Sequence, residues 1–182
     1  IAAWNIEFKR WSEDDEGVWM DTLSDVLRAW GQLALLPGID VRRSMIMGHS
    51  AGGHLALMLA AKAERRPLLT IAQAPITDLI GADRANLSDD GDAVRKWVGS
   101  TPEESPELWR QLNPVDHPAD AAILLVHGER DADVPKEQSE TYARVMKAKG
   151  VEVQKLWLPG DHYSIIAVKP EMIGHYLGEF AI

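Results

Sequence analysis

The stretch Gly48-His49-Ser50-Ala51-Gly52-Gly53 lies between a short apolar run at 44–47 and a helix-like run marked by Leu55, Met58, Leu59 and Ala63. No other feature constrains the fold as strongly. Gly-x-Ser-x-Gly at such a junction demands a strand, a strained turn and a helix, in that order. The backbone passes so near itself that the positions two before and two after the serine must be almost free of side chain. Gly48 and Gly52 meet that demand, and Gly53 relaxes the packing further. A serine on this turn points into open space, and the Ala51 N–H at the helix start is placed to stabilise an oxyanion. The same six residues also read as an ordinary glycine-rich turn with an incidental serine, so the rest of the chain must decide.

Residues 1–8 are mostly apolar, end at Lys9-Arg10, and predict a buried strand. Over 18–36, Leu23, Val26, Leu27, Trp30, Leu33 and Ala34 recur at helical spacing until Pro37-Gly38 stops the helix. Further strands are predicted over 44–47, 68–74, 121–126 and 151–158. Helices are predicted over 136–149 and 164–180, the last interrupted near Pro170. Residues 78–118 differ in character: polar, carrying Pro102, Pro106, Pro114 and Pro118, with no strand-like run. Short helices are expected around 92–98 and after Thr101-Pro102-Glu103-Glu104, which has a capping-box pattern. This segment reads as an excursion over one end of a sheet. Five strands alternating with helices predict a single α/β domain over 1–182, a three-layer α/β/α sandwich with a mostly parallel sheet.

Composition narrows the chemistry. A net charge of −9 and a pI near 5.1 argue against nucleic acid or an anionic membrane as main partner. Without cysteine there is no thiolate nucleophile and no thiolate metal site. No apolar run approaches the roughly 18 residues of a membrane span, and no signal peptide is visible. A soluble protein is expected, the cytoplasm being favoured while the compartment stays open. The chain begins at Ile1 rather than methionine, inside an expected strand, and reads as a fragment or trimmed product.

In open α/β sheets functional groups gather at the carboxyl ends of the strands. Three such ends matter: the one carrying Ser50, the run His127-Gly128-Glu129-Arg130-Asp131-Ala132-Asp133-Val134-Pro135, and Pro159-Gly160-Asp161-His162-Tyr163. A serine hydroxyl needs a base, and that base needs an acid to hold its tautomer. Ser50, Asp131 and His162 occur in the order this arrangement requires. Among six histidines, His49, His54 and His175 read as structural or solvated, His127 as lying beneath the acid loop, and His117 as a weak candidate; His162 is preferred as base. Asp131 is preferred over Asp133 and Glu129, because an aspartate just before Val134-Pro135 also suits a helix start. Asp131-x-Asp133 is a poor cation loop without further spaced oxygen ligands. Trp97, Trp109, Leu79 and Leu87 are candidates for lining a substrate pocket, or for pinning the excursion to the sheet. No cofactor or metal is expected.

The chain resembles the α/β-hydrolase superfamily, in its carboxylesterase, arylformamidase and prolyl-oligopeptidase-like branch. The resemblance rests on Gly48-His49-Ser50-Ala51-Gly52-Gly53-His54, Ala74-Pro75-Ile76-Thr77-Asp78-Leu79, His127-Gly128-x-x-Asp131-x-x-Val134-Pro135 and Gly160-Asp161-His162, with Thr101-Pro102-Glu103-Glu104 and Asn113-Pro114 in the connecting segment. It implies Ser50 as nucleophile, Asp131 as orienting acid, His162 as general base and Ala51 N–H as oxyanion donor. The family's second oxyanion donor, from a His-Gly-Gly type loop, has no matching motif here. Residues 1–8 would match the strand after that loop, leaving a gap beside the elbow strand, so either an N-terminal portion is missing or the sheet re-pairs. The implied reaction is hydrolysis of a carboxylic ester or small amide through an acyl-enzyme. The alternatives are a prolyl-oligopeptidase-type peptidase and a catalytically silent domain with a binding role.

Overall fold

Short runs of aliphatic residues at 45–49, 69–73, 122–128 and 153–158 pair through their backbones. A computed structural model describes residues 2–12, 14–87, 91–119, 121–167 and 174. The strands Met45–His49 (β1), Leu69–Gln73 (β2), Ala122–Gly128 (β3) and Val153–Leu158 (β4) form one parallel sheet in the order β1-β2-β3-β4. Gly48 lies opposite Ala72, Ala72 opposite Leu125, and Leu125 opposite Lys155. The helices are Trp19–Gln32 (α1), Ala51–Lys62 (α2), Leu79–Arg84 (α3), Ala93–Val98 (α4), Pro106–Leu112 (α5) and Glu137–Ala148 (α6).

Each crossover steps one strand in the same direction. Right-handed crossovers then send every connection over the same face of the sheet. Leu57 and Ala60 of α2 and Tyr142 and Met146 of α6 accordingly share one cluster with Ala72, Ile123 and Leu125. Outside α2, Leu23, Val26 and Trp30 of α1 pack on Leu55, Met58 and Leu59. Alternate strand residues Leu69, Ile71, Leu124, Val126 and Leu158 face the other way, against Ile165 of a 3-10 turn, Ser164–Ala167. The helix predicted over 164–180 lies outside the described residues apart from that turn and Gly174, and so does His175.

Three expectations change. Described residues 2–8 form no strand: Ala2 to Asn5 are exposed, and only Ile6 and Phe8 are partly buried against the α1 cluster. An apolar run becomes a strand only where its backbone finds a ladder partner. Here the segment is tied instead to α1, where the Lys9 N–H donates to Asp25 (3.0 Å) and the Thr22 hydroxyl donates to the Lys9 carbonyl (2.7 Å). The described sheet therefore has four strands, not five, and β1 is its edge. Neither does the sheet re-pair beside β1 among the described residues. Thirdly, the capping box forms, with Thr101 N–H on Glu104 Oε2 (2.9 Å) and Glu104 N–H on Thr101 Oγ1 (3.2 Å), yet it closes a lone turn. Helix α5 starts afterwards, at Pro106.

Candidate active site

Ser50 sits between β1 and α2 with φ 56° and ψ −119°, a conformation that costs a non-glycine residue about 1–3 kcal/mol. Its N–H donates to the Gln73 carbonyl (2.8 Å), which fixes the turn against β2. A Cβ on Gly48 would lie 2.1 Å from the Gly52 carbonyl oxygen and 2.3 Å from its carbon. A Cβ on Gly53 would press on Pro75 (3.0 Å), whereas one on Gly52 would meet nothing within 4 Å. The glycine demand thus falls on Gly48 and Gly53, and Gly52 contributes its backbone. Gly48→Ala is expected to destabilise by at least about 3 kcal/mol, because a rigid backbone must move. Gly52→Ala should be neutral or stabilising by up to about 1 kcal/mol from helix propensity. Urea unfolding midpoints of the two variants check this.

The loop after β3 and the loop after β4 bring the acid and base together. His162 Nδ1 donates to Asp131 Oδ2 (2.8 Å), and the Asp131 side chain has no exposed surface. Its other oxygen accepts the N–H groups of Val134 (2.8 Å) and Asp133 (3.1 Å). Asp133 itself is exposed. Asp131, Asp133 and His162 offer ligand atoms within 4.8 Å of one another. The Asp131 oxygens, however, already accept three hydrogen bonds, which suits an orienting acid better than a cation loop. With Nδ1 engaged, His162 is left with Nε2 for the serine.

Beneath the acid, His127 is fully buried. Its Nε2 lies 2.8 Å from the Val134 carbonyl, which can only accept, so Nε2 carries the proton and Nδ1 accepts from Ser139 Oγ (2.8 Å). Burial holds its pKa below the usual histidine range, keeping a neutral ring next to Asp131. His117 caps the carbonyls of Arg110 and Gln111 on the surface and takes no part in the cleft.

Ser50, Ala51 and His162 line a cleft of about 620 Å³ over the strand ends. Ala51 is the first residue of α2, so its N–H has no intrahelical acceptor. Leu79, Leu87 and Trp97 also line the cleft. Trp109 does not: it is fully buried in the cluster formed with Val98 and Leu112, where it pins the excursion to the core. Residues missed by sequence reasoning line the cleft as well, Phe8 to Trp11. Nothing in their pattern distinguishes a wall from a strand.

His54 forms part of the cleft floor. Its Nδ1 donates to the Ile76 carbonyl (3.1 Å), and Trp97 meets its ring edge-on, with centroids 5.2 Å apart. Trp97 is held in turn by its Nε1–H on Thr22 Oγ1 (3.0 Å). Desolvation depresses the His54 pKa to about 4. A depressed histidine stabilises the fold fully above its unfolded pKa near 6.5, and that stability is lost as pH falls through the folded value. Between pH 6.5 and 4 the loss assigned to His54 is about 3 kcal/mol. His54→Leu should flatten the acid limb of a stability-against-pH curve by a comparable amount, measured by urea unfolding at stepped pH.

A family model described as the prolyl oligopeptidase family matches residues 7–175. The acylamino-acid-releasing enzyme of Rattus norvegicus is 27% identical over 158 residues, which cover 82% of this chain and 21% of that enzyme. Dipeptidyl peptidase family member 2 of Caenorhabditis elegans is 25% identical, over 90% of this chain and 19% of its own length. Among solved structures, the acylaminoacyl peptidase of Pyrococcus horikoshii superposes with a TM-score of 0.72 at 26% identity, over 88% of this chain and 27% of that one. A truncated carbohydrate esterase from gut microbiota reaches a TM-score of 0.72 at 20% identity, over 90% of this chain and 70% of its own, a likeness of fold alone. The chain thus spans about a fifth of the length of the curated relatives just named. Among the described residues no helix is long and apolar enough to cross a membrane. With the elbow, the parallel sheet and a family match running over most of its length, this chain belongs to the prolyl oligopeptidase family and has the α/β-hydrolase fold.

Proposed function

We propose that the chain carries the catalytic site of a serine peptidase acting on short or N-terminally blocked peptides. The observation that carries this reading is the buried Asp131–His162 hydrogen bond of 2.8 Å, opening onto the cleft that Ser50 and Ala51 line. In the proposed reaction Ser50 Oγ attacks the peptide carbonyl carbon while its proton passes to His162 Nε2. Asp131 stabilises the resulting imidazolium, and the Ala51 N–H takes the oxyanion. His162 then protonates the leaving amine, the C–N bond breaks, and an acyl group remains on Ser50. Water, deprotonated by His162, releases the acid.

The family match and the peptidase names of the relatives favour an amide bond of a peptide over the carboxylesterase and arylformamidase readings. The test is built so that it does not rely on fast catalysis. The protein is incubated with an N-acetyl-aminoacyl p-nitroanilide, an unblocked dipeptidyl p-nitroanilide and p-nitrophenyl acetate, alongside a fluorophosphonate probe. Release of nitroaniline from either peptide substrate supports the peptidase. Turnover of the acetate ester alone supports an esterase, and absence of phosphonate labelling supports a silent domain.

A further inference from the structure

The loop that carries the candidate base has little packing of its own. Asp161 and Tyr163 are exposed, Tyr163 at 68%, while His162 between them is buried at 4%. Locally the loop is closed by Asp161 Oδ1, which accepts the N–H groups of Tyr163 (3.2 Å) and Ser164 (2.9 Å). Those bonds shape the loop but do not locate it relative to Ser50.

Location comes from elsewhere. Three carbonyls of this loop and the 3-10 turn after it each receive a donor from at or just beyond the carboxyl end of a different strand. The Gly160 carbonyl accepts the Arg130 N–H after β3 (2.9 Å). The His162 carbonyl accepts His49 Nε2–H at the end of β1 (2.8 Å). The Ile165 carbonyl accepts Gln73 Nε2–H at the end of β2 (2.9 Å). Building on the serine peptidase reading, we infer that these donors form a clamp that registers the base on the nucleophile, and that His49 and Gln73 are positioning residues for the reaction.

Both residues are also joined to the elbow through their backbones. His49 directly precedes Ser50 in the chain, and the carbonyl of Gln73 accepts the Ser50 N–H (2.8 Å). Each therefore holds the nucleophile's backbone with one part of itself and the base loop with another. The bond made by Gln73 is buried, so the Ile165 carbonyl would have no water to replace a lost donor. For His49 the acceptor is a carbonyl, so Nε2 must carry the proton. The ring lies 4.4 Å from that of His162, centroid to centroid, close enough to limit how far the base can tilt. Burial holds the His49 pKa below the usual range, and the Nε2 proton is present in the neutral and the charged ring alike. A displacement of about 1 Å in a reacting group is enough to lose about 10²-fold in rate, which sets the scale for losing one arm of the clamp.

The test uses His49→Phe, which keeps a ring against His162 but removes the donor, His49→Gln, which restores an N–H, and Gln73→Met, which keeps volume without a donor. Expected for His49→Phe and Gln73→Met is a 10- to 100-fold slower fluorophosphonate labelling and a matching fall in kcat on a p-nitrophenyl ester, by order of magnitude. KM should stay within about twofold, because a positioning defect acts on the reacting atoms and not on uniform binding. His49→Gln should recover most of the loss. Wild-type rates in folded His49→Phe and Gln73→Met overturn the clamp, as does a His49→Phe loss that His49→Gln does not restore. A second readout is independent of chemistry. The far-downfield proton resonance of His162 Nδ1–H should broaden by exchange in His49→Phe and Gln73→Met; if it stays as sharp as in wild type, the clamp is wrong. Failure of the wild-type protein to label sinks the peptidase reading instead, and the proton resonance still decides the clamp.

Discussion

Ser50→Ala is expected to abolish covalent labelling by a fluorophosphonate and to lower turnover by up to about 10⁶-fold, the scale seen when the nucleophile of a working triad is removed. The loss should be chemical and not structural. The Ser50 side chain makes no capping hydrogen bond at the start of α2, and alanine carries the same β-carbon at φ 56°. The strain of the turn is therefore unchanged, and the thermal midpoint should move by no more than a few degrees. Any residual rate would reflect substrate binding and oxyanion stabilisation without the nucleophile. Active-site titration of wild type and variant, with the melting curve beside it, measures both halves. Undiminished labelling of Ser50→Ala would place the nucleophile elsewhere and remove the basis for the proposed reaction.

Asp131→Asn is expected to cost about 10⁴-fold in kcat with little change in fold, through the tautomer of His162. The argument follows from three hydrogen bonds. Oδ1 of Asp131 accepts two backbone N–H groups, from Asp133 and Val134, while Oδ2 accepts His162 Nδ1–H. An asparagine must turn its carbonyl oxygen toward the two fixed backbone donors. Its NH₂ then faces His162 and forces Nδ1 to accept. The proton moves to Nε2, and the nitrogen that should receive the serine proton is no longer a base. Asp133→Asn is the matching control: its carboxylate is exposed, and activity should stay within about threefold by the usual smallness of surface changes. Steady-state kinetics of the two variants, with circular dichroism to confirm folding, check the pair. Equal losses would mean that both carboxylates share the work.

Much of the candidate site is legible in the sequence. The elbow shows itself because a strand, a glycine two before the serine and a helix are adjacent in the chain. Leu79, Leu87 and Trp97, which line the cleft, stand out in the sequence because they lie in the one polar, proline-rich segment that a parallel sheet sends across its end. Trp109, from the same segment, takes the other of its two expected places and pins the excursion to the core. Nothing local separates a tryptophan facing the cleft from one facing the core, since both belong to short helices a few residues apart. The segment 1–8 failed for a related reason. Apolar composition reports a wish to be buried, but only a neighbouring backbone can make a strand, and the described part of this segment binds α1 instead.

What the sequence alone determined is what depends on neighbours in the chain: the period of the strands and helices, the junction that holds Ser50, and the order Ser50, Asp131, His162 along the chain. Tertiary structure decided everything that is a distance between remote segments. It joined Asp131, and not Asp133, to a histidine 31 residues away by a 2.8 Å bond. It placed the steric demand of the turn on Gly48 and left Gly52 free of it. It also brought Gln73 to a carbonyl 92 residues further on. Such bonds leave no trace in local composition, because their partners meet only when the strands pair in register and the loops at their carboxyl ends converge.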